Sequence, residues 1–254
     1  MTQITGRRPG PASPSVGPDQ FPIPPADVRY RIASREYSET EFLTHGKSLC
    51  EGFLQEMRTY GVQPKRILDL GCGCGRIIRH FIARGGIECY GSDTDAVGVQ
   101  WCQRNLPGGT FTVNERLPPM PYRDQMFDFI YAHSVFTHID LESQYAWLRE
   151  FKRLTVPGGL VRITTMGEGG FRGLSDVMPQ HVKDEFLAKG FVFFDNFTDG
   201  VLPDWYQSTF HSEKFGRELF EQHLGQIVEF RGGIPTPEWK DPQDTYIIRV
   251  SANQ

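Results

Sequence analysis

An acid followed at once by three alternating glycines gives this chain its clearest chemical signal. Residues 67–76 read Ile-Leu-Asp-Leu-Gly-Cys-Gly-Cys-Gly-Arg, which places Asp69 just before Gly71, Gly73 and Gly75. Apolar residues of strand character enter this loop, and Arg76-Ile77-Ile78-Arg79-His80-Phe81-Ile82 leaves it in a helical pattern. A strand that turns sharply into a helix needs residues without Cβ where φ is unusual or where a ligand lies on the main chain. Strand, glycine loop and helix in that order are how doubly wound α/β proteins hold nucleotide-like ligands. The spacing narrows the choice. A dinucleotide fingerprint, Gly-x-Gly-x-x-Gly, needs its third glycine where this chain has Arg76 or Ile78. A phosphate-binding P-loop needs a Gly-Lys-Ser or Gly-Lys-Thr that does not follow.

The elements that must position this loop are readable around it. Leu49, Phe53, Leu54 and Met57 recur at helical spacing within a stretch running from Ala26 to Gly61, which Gly61 and Pro64 end. Strands are expected near Arg66, over Ile87–Gly91, Thr110–Val113, Phe127–Ala132 and Leu160–Thr164. Helices are expected between them, over Ala96–Asn105 with Asp95 as N-cap and after Asp140, where Leu141, Tyr145, Leu148 and Phe151 share a face. Pro157-Gly158-Gly159 makes a turn before the fifth strand. Strands alternating with helices imply a parallel sheet wound on both faces. Beyond it, helices are expected at Gln180–Lys189 and Glu213–His223, and strands near Gln226–Phe230 and Thr245–Val250. Residues 1–25 hold seven prolines among Gly and Ser and are expected to form a disordered tail.

Bulk properties exclude several classes. The formal charge is −4 with no block of Lys or Arg, which argues against a nucleic-acid partner. No apolar run approaches the ~18 residues that cross a bilayer. The five cysteines (Cys50, Cys72, Cys74, Cys89, Cys102) are scattered and follow no signal-peptide pattern, so a reducing, cytoplasmic setting is expected. Cys72 and Cys74 have no second ligand pair at suitable spacing, so no metal site is expected. Nothing in the residues indicates an oligomeric state.

Residues 114–159 carry Asn114, Leu117-Pro118-Pro119-Met120-Pro121-Tyr122, Phe127-Asp128, Ser134-Val135-Phe136-Thr137-His138, Trp147-Leu148-Arg149-Glu150 and Pro157-Gly158-Gly159. With the glycine loop, this run resembles the class I S-adenosylmethionine-dependent methyltransferases, in a subgroup linked with sugar, polysaccharide or secondary-metabolite modification. The resemblance covers about Lys65 to Thr165; Phe42–Gly46 and Gln243-Asp244 are similar more weakly. It implies a Rossmann-like, doubly wound seven-stranded sheet, mostly parallel with an antiparallel last strand. It also implies a helical lid over residues 26–64, a methyltransferase domain over 65–254, and an acceptor-covering insert at about 167–211. The cofactor would be S-adenosyl-L-methionine. Asp93, one strand–helix–strand unit after Asp69, would hold the ribose, since two carboxylate oxygens suit two vicinal hydroxyls. Thr94 and Asn114 would lie near the adenine. Asp69, Gly71, Cys72, Gly73 and Gly75 would form the loop, and Ala132, His133 and Ser134 would lie under the methionine part.

The expected reaction is methyl transfer to a small molecule, directed to oxygen on a sugar-containing or natural-product acceptor. An oxygen nucleophile calls for a base, and His133, His138 and His211 are the candidates. His138 would alternatively buttress the helix that follows it. Trp205, Tyr206 and Phe210 either line an acceptor pocket or pack a small subdomain. Arg29, Arg31 and Arg35 either meet an anionic acceptor or form a solvated helix face. An NAD(P)-dependent oxidoreductase would also place an acid at Asp93, but the third glycine is missing. A non-catalytic nucleoside-binding protein is the other alternative.

Overall fold

The computed structural model describes residues 15–32, 36–195, 203–233 and 243–252. In its first half, α1 (Ala26–Tyr30) and α2 (Glu39–Thr59) lead into β1 (Arg66–Leu70), α3 (Ile78–Arg84), β2 (Glu88–Asp93) and α4 (Ala96–Asn105). Next come β3 (Gly109–Val113), β4 (Phe127–Ala132), α5 (Leu141–Leu154) and β5 (Thr155–Met166). The chain then forms α6 (Glu168–Leu174), α7 (Gln180–Lys189), β6 (Phe191–Phe194), β7 (Ser208–His211), α8 (Glu213–His223), β8 (Gly225–Arg231) and β9 (Gln243–Val250).

Strands β3-β2-β1-β4-β5 lie side by side and parallel, β9 runs antiparallel against β5, and β8 pairs antiparallel with β9. These seven are the strands expected from the sequence, with the antiparallel strand last. Hairpin β6–β7 brings the sheet to nine strands, joined to β5 by the single parallel pair Met166–Phe210. Neither hairpin strand was legible: both are four residues long and fully or partly buried, so no polar alternation marks them.

Strand order reverses between β1 and β4, which opens a crevice at their carboxyl ends, where α/β proteins bind ligands. Both faces of the central strands are buried, as a parallel sheet requires. Leu68, Leu70, Ile130 and Ala132 pack towards α5 and α8, while Ile67, Phe129 and Tyr131 pack towards α2 and α3. Alternation along each strand therefore hands the two cores to opposite helical layers.

Two expectations for the N-terminal region change. The helical stretch is two helices; α2 starts at a capping box in which Ser38 and Glu41 bond each other's main chain. Its Phe53 ring lies 5.0 Å from Tyr131 and 6.0 Å from Phe129, so α2 covers the sheet as a core helix. Residues 1–14 of the expected tail lie outside the described residues, but 15–25 form a packed strap. Arg79 on α3 is fully buried, and its Nε and Nη2 donate to the Asp19 carboxylate at 2.5 and 2.9 Å. It also donates to the main-chain oxygens of Phe21 and Pro22, both at 3.1 Å. A proline-rich segment that cannot build a core can still dock when a buried cation needs its carboxylate.

Removing one partner of a buried ion pair leaves an uncompensated charge, at a cost of about 3–5 kcal/mol. Asp19→Ala is expected to lose stability on that scale in urea denaturation and to open residues 15–25 to limited proteolysis. An unchanged midpoint would show that the strap does not depend on this pair.

Candidate active site

The glycine loop is pinned to the end of β2. Gly71 and Cys72 donate their N–H groups to Ser92 O at 2.7 and 3.0 Å, and Gly73 N donates to Asp93 Oδ2 at 2.7 Å. All three motif glycines have positive φ, at 82°, 51° and 81°. A Cβ on Gly71 would lie 2.4 Å from Val135 Cγ2, and one on Gly73 would lie 2.4 Å from Ile32 Cγ2. Gly75 serves packing, because its Cβ would meet Leu106 on the far side of the loop at 2.5 Å.

A cavity of about 410 Å³ opens over this loop at the carboxyl ends of β1, β2 and β4. Asp69, Gly71, Cys72, Gly73, Asp93, Thr94, Asn114, His133 and Ser134 line it. Of the residues expected at the cofactor, Gly75 and Ala132 do not; Ala132 is fully buried in the sheet core.

Asp93 is held by two main-chain donors, Gly73 N at Oδ2 and Asp95 N at Oδ1, the latter at 2.8 Å. Burial raises its pKa, and those same donors oppose the rise. Each carboxylate oxygen keeps acceptor capacity towards the cavity. Asp95 caps α4 by accepting from Val97 N and Gly98 N, as its sequence position implied. Asn114 Oδ1 accepts from Ser92 Oγ at 2.5 Å, which fixes the side chain at the end of β3. Asp69 is buried, and desolvation pushes its pKa up to about 8.

Ser134, two residues beyond β4, has φ at 63°, a strained value for a non-glycine residue. It is held from both sides: its N–H donates to Thr164 Oγ1 at 2.7 Å, and its Oγ accepts from Gln243 Nε2 at 2.8 Å. Gln243 is thus a supporting residue of the site, hinted at in the sequence only by its weak resemblance.

The three candidate bases separate. His133 lines the cavity, but His138 and His211 do not. His138 is buried, donates from Nδ1 to Gln207 O at 3.0 Å, and stacks on Tyr206 at 4.0 Å; burial lowers its pKa to about 4. It buttresses the segment carrying Tyr206. His211 is fully buried on β7, its Nε2 at 2.9 Å from Gln144 Oε1, and burial lowers its pKa to about 3. Both were drawn into the core by strand and loop pairings that the sequence did not reveal.

Trp205 and Tyr206 line the cavity, whereas Phe210 packs against Phe171 at 5.6 Å in the α6–α7 core. Arg29 is buried and donates to Tyr37 O and Pro24 O, so it holds the strap and not a ligand. Arg31 reaches the cavity but pairs with both oxygens of Asp95 at 2.8 and 2.7 Å. Arg35 lies outside the described residues. Arg116 lines the cavity and pairs with Asp140. Arg76, which also lines it, donates from Nη1 to Tyr37 Oη at 2.9 Å and to His45 Nδ1 at 2.8 Å. Among the described residues Arg76 forms no ion pair. The sequence showed it only as the residue standing where a third glycine was missing.

Among the described residues, no cluster of three or more His, Cys, Asp or Glu could hold a metal ion. No described helix is long and apolar enough to cross a membrane.

Residues 68–163 match the family described as a methyltransferase domain. Over 180 residues the chain is 26% identical to a malonyl-[acyl-carrier protein] O-methyltransferase of Halorhodospira halophila, covering 64% of this chain and 60% of that protein. Over 107 residues it is 29% identical to norajmaline N-methyltransferase of Rauvolfia serpentina, covering 40% of this chain and 36% of that protein. It therefore spans less than two thirds of either relative. The solved structure of a SAM-dependent methyltransferase from Methanosarcina mazei superposes with a TM-score of 0.61 at 18% identity, covering 78% of this chain and 98% of that one. That likeness fixes the fold.

Buried titratable groups make stability depend on pH in a defined direction. His80, His133, His138 and His211 are held neutral below their usual range, chiefly by burial. The unfolded chain protonates them near pH ~6.5, so each loses stability for the fold as pH falls through that value. Asp69, raised to about 8, and Asp244, raised to about 6, act oppositely: the folded carboxyls keep protons that the unfolded chain releases. Above neutrality Asp69 dominates and stability falls as pH rises. Towards pH ~5 the histidines, with His223 lowered as well, outweigh Asp69, Asp93 and Asp244, and stability falls as pH falls. The urea midpoint of the unliganded protein is expected to peak near pH ~7; a midpoint rising steadily from pH ~7 down to ~5 would contradict these environments.

Proposed function

We propose that this chain, whose residues 68–163 match a methyltransferase domain, is a class I S-adenosylmethionine-dependent methyltransferase that transfers the methyl group to oxygen on a small, ring-bearing acceptor of the sugar-containing or natural-product kind. The observation that carries the cofactor reading is the Asp93 carboxylate, fixed by Gly73 N and Asp95 N at the lip of the bare glycine loop. A ribose with two vicinal hydroxyls meets two preset acceptors there without having to organise them. A nicotinamide dinucleotide would bring a diphosphate to the same bend, where the long side chain of Arg76 replaces the third glycine.

Arg76 suits the other end of the cofactor. It is a cavity-lining guanidinium without an ion-pair partner among the described residues, and its Nη1 is oriented by Tyr37 and His45. A methionyl carboxylate is the charge it lacks. Asp69, buried nearby, lies where the α-ammonium group would gain from a carboxylate. When bound, S-adenosylmethionine supplies an electrophilic methyl on a positive sulfonium. The protein's part is to hold the two reactants in line and keep water out. Such positioning contributes on the order of 7–11 kcal/mol to a barrier.

For the acceptor, Trp147, Trp205 and Tyr206 bring rings to the cavity wall, and Arg116 lies over Trp205 at 5.7 Å. Flat aromatic walls with one cation beside them favour a ring-bearing molecule over a flexible chain. The malonyl-carrier relative is named as acting on oxygen and the norajmaline relative on nitrogen.

Calorimetry with S-adenosylhomocysteine and with 5′-methylthioadenosine separates the two ends. A charged hydrogen bond contributes about 1.5–3 kcal/mol, so Asp93→Ala is expected to weaken both ligands at least tenfold. Arg76→Ala is expected to weaken S-adenosylhomocysteine by a similar factor and to leave 5′-methylthioadenosine, which has no carboxylate, within about twofold. Equal affinity of wild type and Asp93→Ala for both ligands would remove the cofactor assignment.

A further inference from the structure

Of the three candidate histidines only His133 reaches the cavity wall, yet its surroundings fit it for a different task. Its Nδ1 lies 3.4 Å from Arg162 Nη1. A guanidinium carries donors alone and stays protonated at any working pH, so the ring nitrogen facing it presents its lone pair. In a neutral imidazole the single proton then sits on Nε2.

Arg162 is well placed to impose this. It is 5% exposed, donates from Nε to Glu56 Oε2 at 3.2 Å and from Nη2 to Thr245 Oγ1 at 3.2 Å, and lies over the Phe53 ring at 4.2 Å. The histidine ring is confined by Phe53 and His45, each with ring centroids 6.4 Å away. The titratable and charged groups facing it are Arg162 from β5, Arg76 from the glycine loop and His45 from α2, with no carboxylate among them. A second proton on the ring would be repelled from every side. Burial and these neighbours hold its pKa well below the usual histidine range. Nε2 has no protein partner among the described residues, on a ring that lines the cavity.

We propose that Arg162 is a positioning residue that locks His133 as the neutral Nε2–H tautomer, so that His133 meets the ligand as a hydrogen-bond donor and takes no proton from the methyl acceptor. The inference rests on this cavity being the methyl-transfer site. With no histidine to take a proton, it favours an acceptor whose oxygen arrives already anionic: a carboxylate, phenolate or enolate carried by the ring-bearing molecule. The oxygen lone pair forms the new bond to the methyl carbon as the methyl–sulfur bond breaks, and that bond's electrons stay on sulfur. No proton needs a recipient.

The test uses the full chain labelled with 15N-histidine and long-range proton–nitrogen spectra without ligand. His133 is assigned by the signal lost in His133→Asn. It is expected to show an unprotonated Nδ1 and a protonated Nε2 from about pH 8 to about pH 5. A protonated Nδ1, or a ring titrating between about pH 6 and 7, would overturn the proposal. The double variant Arg162→Gln/Glu56→Gln, which leaves no buried carboxylate unpaired, is expected to show both tautomers and a pKa raised towards the usual range. A pure Nε2–H ring in that variant would show that Arg162 is not the cause. If the double variant does not fold, the wild-type spectrum still decides. Since the readout needs no ligand, its outcome is separate from that of the S-adenosylhomocysteine titration.

Discussion

One carboxylate ties the sheet, the loop and a helix together at the site. Asp93 sits at the last position of β2, accepts from Gly73 on the glycine loop, and accepts from Asp95 at the cap of α4. The loop's positive-φ conformation turns its amides towards acceptors at the end of β2. Ser92, one residue earlier, takes the N–H groups of Gly71 and Cys72 with its main-chain oxygen. The binding surface is therefore assembled before a ligand arrives, and its entropy cost is met in folding. The same geometry explains why α4 lies so close: a Cβ on Gly98 would come within 2.7 Å of Gly73 O.

Charge is distributed along the cavity in a way that suits a long, multiply charged ligand. Asp69 and Asp93 flank the glycine loop and Arg76 follows it, while Arg162 lies behind His133. Arg31 and Arg116 are also on the wall, but their partners Asp95 and Asp140 neutralise them. What remains unbalanced is one guanidinium and the Asp93 carboxylate by the loop, with Asp69 kept protonated by burial until a cation comes beside it. A zwitterionic amino acid on a nucleoside matches that pattern, and a polyanion does not.

Much of this was legible because it rests on local chemistry. Gly71, Gly73 and Gly75 announced the loop through spacing, and Asp95 and Asp140 announced helix starts through capping, all before any contact was known. The misses share one cause, which is dependence on partners distant in sequence. Hairpin β6–β7 is a pair of four-residue segments that become strands by pairing with each other and reaching β5. His211 reads as a polar residue in an aromatic stretch, yet Gln144, 67 residues away, accepts its hydrogen bond in the core. The strap over 15–25 reads as disordered by composition, and only the buried Arg79 reveals why it is packed. Gln243 acts on Ser134 across 109 residues, a relation no local pattern encodes.

The strap also changes how the cavity is closed. Helix α2 lies in the core, so the covering residues are Arg31 and Ile32, immediately after α1. They are held at three points of different strength. Asp19 on Arg79 is nearly closed to solvent, Arg29 is buried on the main-chain oxygens of Pro24 and Tyr37, and Arg31 on Asp95 is partly open to solvent. A partly exposed pair is screened and weak, whereas a buried one is expensive to break. Of these three ties, the one at Arg31 is the least costly to break. Asp95 keeps its bonds to Val97 and Gly98 when Arg31 leaves, so α4 and the Asp93 anchor do not have to reorganise for a ligand to enter. The weakest tie in the N-terminal segment is placed at the one point where a break costs the preformed binding surface nothing.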